Sequence, residues 1–279
     1  MKYILGLDIG GTNTKFGLLD KDLNIISQEY FETISGQNVL NRIDKILLNN
    51  LQQIDRIAIS CPGIIDFRNG LIVKGGAIKQ FDNFNIKKYF EQKYSIKTFV
   101  DNDAICVARS EIIKARELHQ GIGIVFTVGT GVGGAITING NIYRGRNNKS
   151  GELGSLKNLG VNSVDTWNTY LSLKSLSTII PNHFSNPVEF LNCYEVKQQF
   201  KDIYENYYTN LALFIKNITW ILDPQTIVIG GGISYVNNLT EILWGYLGNI
   251  GVERSGLEIK KAKYKNLAGI VGAASMVFD

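Results

Sequence analysis

Short apolar runs with strand-like alternation give way to helically spaced apolar positions, and the switch recurs along the chain. "KYILGLDIGG" is an apolar run closed by glycines, and "KFGLLD" and "NIISQEYF" follow as further strands joined by the turn "KDLN". From about residue 37 to 53, Leu40, Ile43, Leu47 and Leu51 share one helical face. "RIAIS" reads as a buried strand, "CPGIIDFRNGLI" as a loop and hairpin, "NIKKYFEQKY" as an amphipathic helix and "KTFV" as a strand. A long helix is predicted from Asp103 to His119, then the strand "GIGIVFTVG". In the hairpin "GGAITINGNIYRG", Asn139-Gly140 is the pair a type I′ turn favours. Residues 165–222 read as mostly helical, and "TIVIGGG" as a strand running into three glycines. A helix over 239–248, the strand "LEIKKA" and a helix over 268–278 complete the pattern. Strands alternating with helices predict an α/β fold.

The pattern also echoes itself. "LDIGGTNTKFG" from Leu7 and "FTVGTGVGGAI" from Phe126 are each a strand, a Gly/Thr turn and a second strand, about 120 residues apart. Asp8 matches Thr127, Gly10 matches Gly129 and Thr12 matches Gly131. The repeat predicts two similar lobes.

Composition narrows the setting. Apolar residues are 44% of 279, enough for a sizeable core, and the net charge of +4 is too weak to argue for nucleic acid. The three cysteines, Cys61, Cys106 and Cys193, are far apart, which fits a reduced cytoplasmic setting and neither a disulfide framework nor a zinc site of usual spacing. No apolar run has the length of a membrane span and no signal peptide is visible, so a soluble cytosolic protein is expected. Trp167, Trp220 and Trp244 read as core residues, although Trp167 neighbours a candidate ligand position. His119 and His183 read as surface residues, and Cys106 as core packing.

Candidate chemistry sits in the glycine turns. In "DIGGTNTKFG" the glycines let backbone N–H groups converge on an anion, Thr12, Asn13 and Thr14 add donors, and Lys15 adds charge. Asp8, at the strand end, is suited to hold magnesium through water. The stretch is neither a Walker A loop nor a dinucleotide fingerprint, because the lysine spacing is wrong and a strand follows. "TVGTGVGG" repeats the logic with Thr127, Thr130, Gly131 and Gly133, and Gly230-Gly231-Gly232 offers a bare backbone to a flat group such as adenine. In "VDNDAICVA", Asn102 and Asp103 open a helix, and spacing leaves N-cap and general base equally open for the acid. In "KSGELGSLKN", Glu152 lies between Gly151 and Gly154, where an acid serves a hydroxylated ligand, a metal or the cap of the next helix.

Taken in order, "DIGGTNTKFG", "SCPGIID", "DNDAICVARSE", "TVGTGVGGAITINGNIYRG", "SGELGS" and "DPQTIVIGGG" resemble the ROK family of sugar kinases, within the hexokinase–actin superfamily. The resemblance spans nearly the whole chain. It implies a two-lobed actin-like, ribonuclease H-like ATPase fold with ATP and sugar in the cleft, a small lobe of residues 1–112 plus 265–279 and a large lobe of 113–264. It implies Asp103 as general base. It places ATP at Asp8, Gly10, Gly11, Thr12, Asn13, Thr14, Lys15, Thr130 and Gly131, with adenosine at Gly231 and Gly232. It assigns the sugar to Gly63, Asn102, Asp103, Glu152, Ser155 and Asn168. The implied partners are a small sugar, ATP with Mg2+, and further copies of the chain, with no membrane. Family repressors carry a DNA-binding domain ahead of the first loop; here that loop starts at Asp8, so no nucleic acid is expected.

The departures are informative. Ser155 stands where many members have the His of a zinc site, and "LKNLGVNSVDTWN" has no cysteine, so zinc is not expected. Asn168 stands for a sugar-binding Glu, and Ala77, in "GGAIKQFDNFNIKKYF", for a sugar-binding Asn. That stretch and the C-terminal segment resemble the β-glucoside kinases of Gram-positive bacteria, which implies the 6-hydroxyl of the non-reducing glucose of cellobiose and its relatives as acceptor. Smaller side chains at the three positions leave room for a second ring. Glucokinase, N-acetylmannosamine kinase and fructokinase activities stay open as alternatives, because specificity turns on a few hydrogen bonds.

Overall fold

The computed structural model describes residues 2–114, 116–157, 165–193 and 199–279. In chain order, a first run of elements is β1 (Tyr3–Ile9), β2 (Asn13–Leu19), β3 (Ile25–Glu32), α1 (Gly36–Asn50), β4 (Ile54–Cys61), β5 (Ile64–Asp66), β6 (Leu71–Lys74), β7 (Phe84–Asn85), α2 (Ile86–Tyr94), β8 (Lys97–Asn102) and α3 (Asp103–Lys114). A second run is β9 (Ile122–Val128), β10 (Val132–Ile138), β11 (Asn141–Tyr143), α4 (Trp167–Leu171), α5 (Leu173–Ser177), α6 (Pro187–Asn192), α7 (Lys201–Leu222), β12 (Thr226–Gly230), α8 (Leu239–Asn249) and β13 (Glu258–Lys261). The chain then adds α9 (Ala268–Ser275). Backbone proximity divides it into two units: Met1–Lys114 with Gly145–Lys149 and Asn266–Asp279, and Ala115–Arg144 with Ser150–Lys265.

The two units repeat one topology. Their five-stranded sheets run β3-β2-β1-β4-β8 and β11-β10-β9-β12-β13. In each, the first two strands form an antiparallel hairpin and the first strand then pairs in parallel with a later one. The echo in the sequence therefore corresponds to a repeated sheet. Asn139 (φ 49°) and Gly140 (φ 79°) both lie in the left-handed region, as the type I′ turn requires.

In the first unit, α1 starts where the Ser35 hydroxyl accepts the Asn38 N–H at 3.1 Å, and it buries Val39, Leu40, Ile43 and Leu47. Those residues join Leu5, Leu7 and Ile9, the odd positions of β1, in one core. The even positions of β1 lie under α9: a Cβ on Gly6 would sit 2.9 Å from Ile270 Cγ2, and one on Gly269 would sit 2.3 Å from Asp8 Cγ. A Cβ on Gly272 would fall 1.6 Å from the Cys106 carbonyl oxygen, so α9 and α3 pack backbone to backbone. These contacts bring the first turn of α9 to the Asp8 carboxylate. In the second unit, Phe214 of α7 packs edge-on to Phe126 of β9 at 5.4 Å and tilted against Trp167 at 5.4 Å.

Several sequence expectations change. The helix predicted from Asp103 to His119 is α3 to Lys114 and a separate 3₁₀ turn over Arg116–His119; residue 115 lies outside the described residues. Leu118 is fully buried, pointed toward the position of a Gly123 Cβ, and that packing replaces the continuous helix. β5, β6 and β7 form a three-stranded sheet rather than a lone hairpin. Trp220 is 82% exposed, not core, because helical spacing puts it on the solvent face of α7 with exposed Leu213. Trp167 is buried, Trp244 partly buried, and both histidines are exposed. Among the described residues, no helix is long and apolar enough to cross a membrane.

Candidate active site

Three parallel strands of the first unit end together. Asp8 of β1 is in register with Ser60 of β4, and Ser60 with Asp101 of β8. The carboxyl ends of parallel strands are where open α/β sheets bind ligands. The Ser60 hydroxyl donates to Asp8 Oδ1 at 2.7 Å, and Lys15 Nζ lies 3.7 Å from Asp8 Oδ2 because Lys15 pairs with Asp8 across the hairpin. The β1–β2 turn is closed by the Gly10 N–H on the Asn13 carbonyl at 3.0 Å, with Gly11, Thr12 and Asn13 exposed. Thr14 differs from expectation. Its side chain is fully buried and its hydroxyl lies 2.9 Å from that of Thr33, so it is no donor to a ligand. Strand alternation sends the Thr14 side chain inward, a parity that the turn motif alone does not reveal.

The cap at α3 is supplied by Asn102. Its Oδ1 accepts the N–H groups of Ala104 at 2.9 Å and Ile105 at 3.2 Å, and its Nδ2 donates to the Gly63 carbonyl at 2.8 Å. The side chain assigned to a sugar thus spends its polar atoms on the helix and on the loop after β4. Asp103 is the first helical residue, and its Oδ1 takes the adjacent Ala104 N–H at 2.8 Å. Asp101, buried just ahead, has Oδ2 3.6 Å from Arg109 Nε. The Cys61 thiol is pushed well up by its complete burial and then by the charges of Asp103 and Asp8, which marks a negative field at these strand ends.

In the second unit the β9–β10 turn is Gly129-Thr130-Gly131, closed by the Gly129 N–H on the Gly131 carbonyl at 2.9 Å. Gly231 follows β12 with φ 77°, and a Cβ there would meet the Val128 carbonyl at 2.6 Å; Gly232 opens a 3₁₀ turn beside Leu173. Glu152 precedes the 3₁₀ turn Leu153–Ser155 and makes no side-chain cap. Capping therefore does not explain it. Burial alone pushes its carboxyl above the usual range. Gly151 has φ 88° and Gly154 abuts β10, where a Cβ would lie 2.1 Å from the Val132 carbonyl oxygen. Both glycines seat the loop on the strand. Ser155 is exposed. Asn168 Oδ1 accepts the Val132 N–H at 2.8 Å.

The model of the ROK family matches residues 4–279. The chain belongs to the ROK family. A β-glucoside kinase of Listeria innocua is 28% identical over 97% of this chain and 95% of its own length. The Lmo2764 protein of Listeria monocytogenes superposes with a TM-score of 0.89 at 28% identity, covering 99% of this chain and 98% of that one. A ROK protein of Streptococcus pneumoniae, solved in complex with sucrose, superposes with a TM-score of 0.82 at 25% identity over 98% of this chain and 96% of its own. The α/β fold implied by the sequence is the one this ROK chain shares with them.

Two residues that touch Asp8 had no role assigned from the sequence. Ser60, which holds Asp8, opens the stretch "SCPGIID" with no role legible there, and Gly269, which makes room for Asp8, lies in the first turn of an apolar helix. Both matter only through register and packing. Among the described residues, no group of three or more His, Cys, Asp or Glu is placed to hold a metal. Residues 158–164, within the stretch on which the zinc expectation rests, lie outside the described residues. Asp8 fits an outer-sphere role toward magnesium, since its side chain is 20% exposed and its two oxygens are engaged by a hydroxyl and a lysine.

Proposed function

We propose that this protein transfers the γ-phosphoryl group of ATP to the 6-hydroxyl of the non-reducing glucose of a β-glucoside such as cellobiose. It is an ATP-dependent sugar kinase of the ROK family. The observation that carries the chemistry is the division of labour at α3: Asn102 caps both Ala104 and Ile105 while Asp103 shares just the Ala104 N–H, so capping alone does not account for Asp103. Asp103 takes the proton of the 6-hydroxyl as its oxygen bonds to the γ-phosphorus. The bond from that phosphorus to the bridging oxygen breaks, and ADP leaves. The helix dipole favours the ionised form of an acid in this first turn. N–H groups of Gly11, Thr12, Thr130 and Gly131 bind phosphate oxygens, and Lys15 offsets their charge. Magnesium entering with ATP would neutralise further charge, with Asp8 holding its water shell. Glu152 accepts hydrogen bonds from sugar hydroxyls.

A β-glucoside is favoured by the small groups at the sugar positions. Ala77 carries only a methyl, set 2.9 Å from where a Cβ of Gly11 would be, and Asn168 is turned onto the backbone of Val132. The named activity of the Listeria innocua relative supports the same class, and the sucrose held by the Streptococcus pneumoniae protein, an α-glucoside, supports only room for a second ring. The test is coupled ADP release over cellobiose, gentiobiose, glucose, fructose, N-acetylmannosamine and N-acetylglucosamine. The expected kcat/KM is at least ~10-fold higher for a β-glucoside than for glucose, the scale of a few pocket contacts. A profile led by a monosaccharide overturns the glucoside assignment and leaves the kinase; no sugar-dependent ADP overturns both.

A further inference from the structure

We infer that Asn168 is a positioning residue for the β9–β10 turn, setting its backbone for the nucleotide, and is not a sugar contact. The inference rests on the proposed role of that turn in binding phosphate. In an antiparallel pair, alternate residues exchange hydrogen bonds and the residues between them turn N–H and C=O outward. Gly129 and Gly131 share the closing bond, so the paired Val128 and Val132 point their backbone groups away from each other. Outward from Val132 the neighbouring strand is β11, but it pairs only with Ile136, Thr137 and Ile138. The Val132 N–H is thus left beyond the end of β11, in a residue that is 9% exposed. A buried N–H needs a partner. Asn168 Oδ1 supplies it at 2.8 Å and does the work of a missing strand residue.

The other flank of the turn is held by the same segment. The Gly129 carbonyl accepts the Leu173 N–H at 2.8 Å. Between these two grips runs α4, itself pinned. Trp167 is buried and its backbone N–H donates to the Leu156 carbonyl at 2.9 Å, the Asn168 backbone carbonyl accepts the Ser172 N–H at 3.2 Å, and the Leu171 carbonyl accepts the Tyr207 hydroxyl at 3.1 Å. The N–H groups of Thr130 and Gly131 have no partner among the described residues. Those two donors are the ones the clamp orients. Because the Leu156 carbonyl ends the Glu152 loop, α4 ties that loop to the turn within one unit.

Calorimetric titration of the whole protein with ATP, and separately with the best sugar of the panel, tests this. Asn168→Ala is expected to weaken ATP about tenfold, the scale of one buried hydrogen bond, with sugar affinity within twofold of wild type. Asn168→Asp, which keeps an acceptor in place, restores most of the ATP affinity. Weakened sugar with unchanged ATP overturns the inference, as does Asn168→Asp behaving like Asn168→Ala. If Asn168→Ala does not fold, Asn168→Gln, which displaces the oxygen by one carbon, carries the same expectation. Thr130→Glu separates the two claims, since Thr130 is exposed and a carboxylate there repels phosphate. If Thr130→Glu weakens ATP and Asn168→Ala does not, the clamp fails alone. If neither does, the phosphate role of the turn fails with it.

Discussion

Asp103→Asn lowers kcat by about 10²–10⁴, the usual contribution of a general base, and leaves folding and both KM values near wild type. The substitution is isosteric, so the amide oxygen still accepts the Ala104 N–H that Asp103 Oδ1 takes. Only the proton acceptor and one negative charge are lost. The charge sits at a helix N-terminus, where its removal costs about 0.3–1 kcal/mol. Asn102→Ala has the opposite profile. It removes the cap on Ala104 and Ile105 and the tie to Gly63, which costs about 1 kcal/mol or more of stability. Its effect on the rate is then indirect. Steady-state kinetics and thermal melts on the two variants separate the roles. A kcat within tenfold of wild type for Asp103→Asn removes Asp103 as the base.

Glu152→Gln makes the free protein more stable at neutral pH and a poorer enzyme, with kcat/KM for the sugar down about 10–100-fold, the scale of hydrogen bonds to a charged acceptor. Burial raises the Glu152 carboxyl above its ordinary value. In the unfolded chain the acid ionises at the ordinary value, so the folded state is penalised increasingly as pH rises from there through the raised one. Below that window the acid is neutral in both states and costs nothing. Gln is neutral throughout, so the melting temperatures of variant and wild type converge in acid and separate toward neutrality, the variant higher. Sugar affinity of the wild type moves the other way, falling as pH drops through the raised value because a neutral carboxyl is a weaker acceptor. Equal melting temperatures at neutral pH contradict the burial effect. Unchanged sugar kinetics contradict the role in binding. A site residue that costs stability is a common mark of function.

The strands, both Gly/Thr turns and their repetition were legible because glycine placement and alternation are local signals. What stayed hidden depended on neighbours distant in sequence. Thr14 looked like a ligand donor until the parity of β2 turned it onto Thr33. Asn102 and Asp103 both fit a cap by spacing and both take the Ala104 N–H, and the bonds of Asn102 to Ile105 and Gly63 distinguish them. Asn168 was aligned with a sugar ligand by resemblance, whereas its oxygen meets the β10 backbone. Trp220 was assigned to the core by residue type, although its helical phase with Leu213 points it to solvent. Ser60 and Gly269 act on Asp8 from a neighbouring strand and from the last helix, over separations that no local motif spans.

The most direct measurement is where the phosphate goes. The protein is incubated with ATP and cellobiose, the product is reduced with borohydride to mark the reducing end as glucitol, and the glycosidic bond is then hydrolysed. Transfer to the 6-hydroxyl of the non-reducing ring predicts glucose 6-phosphate and unmodified glucitol. Phosphate on glucitol, or no phosphorylated cellobiose under conditions in which free glucose is phosphorylated, contradicts a β-glucoside kinase.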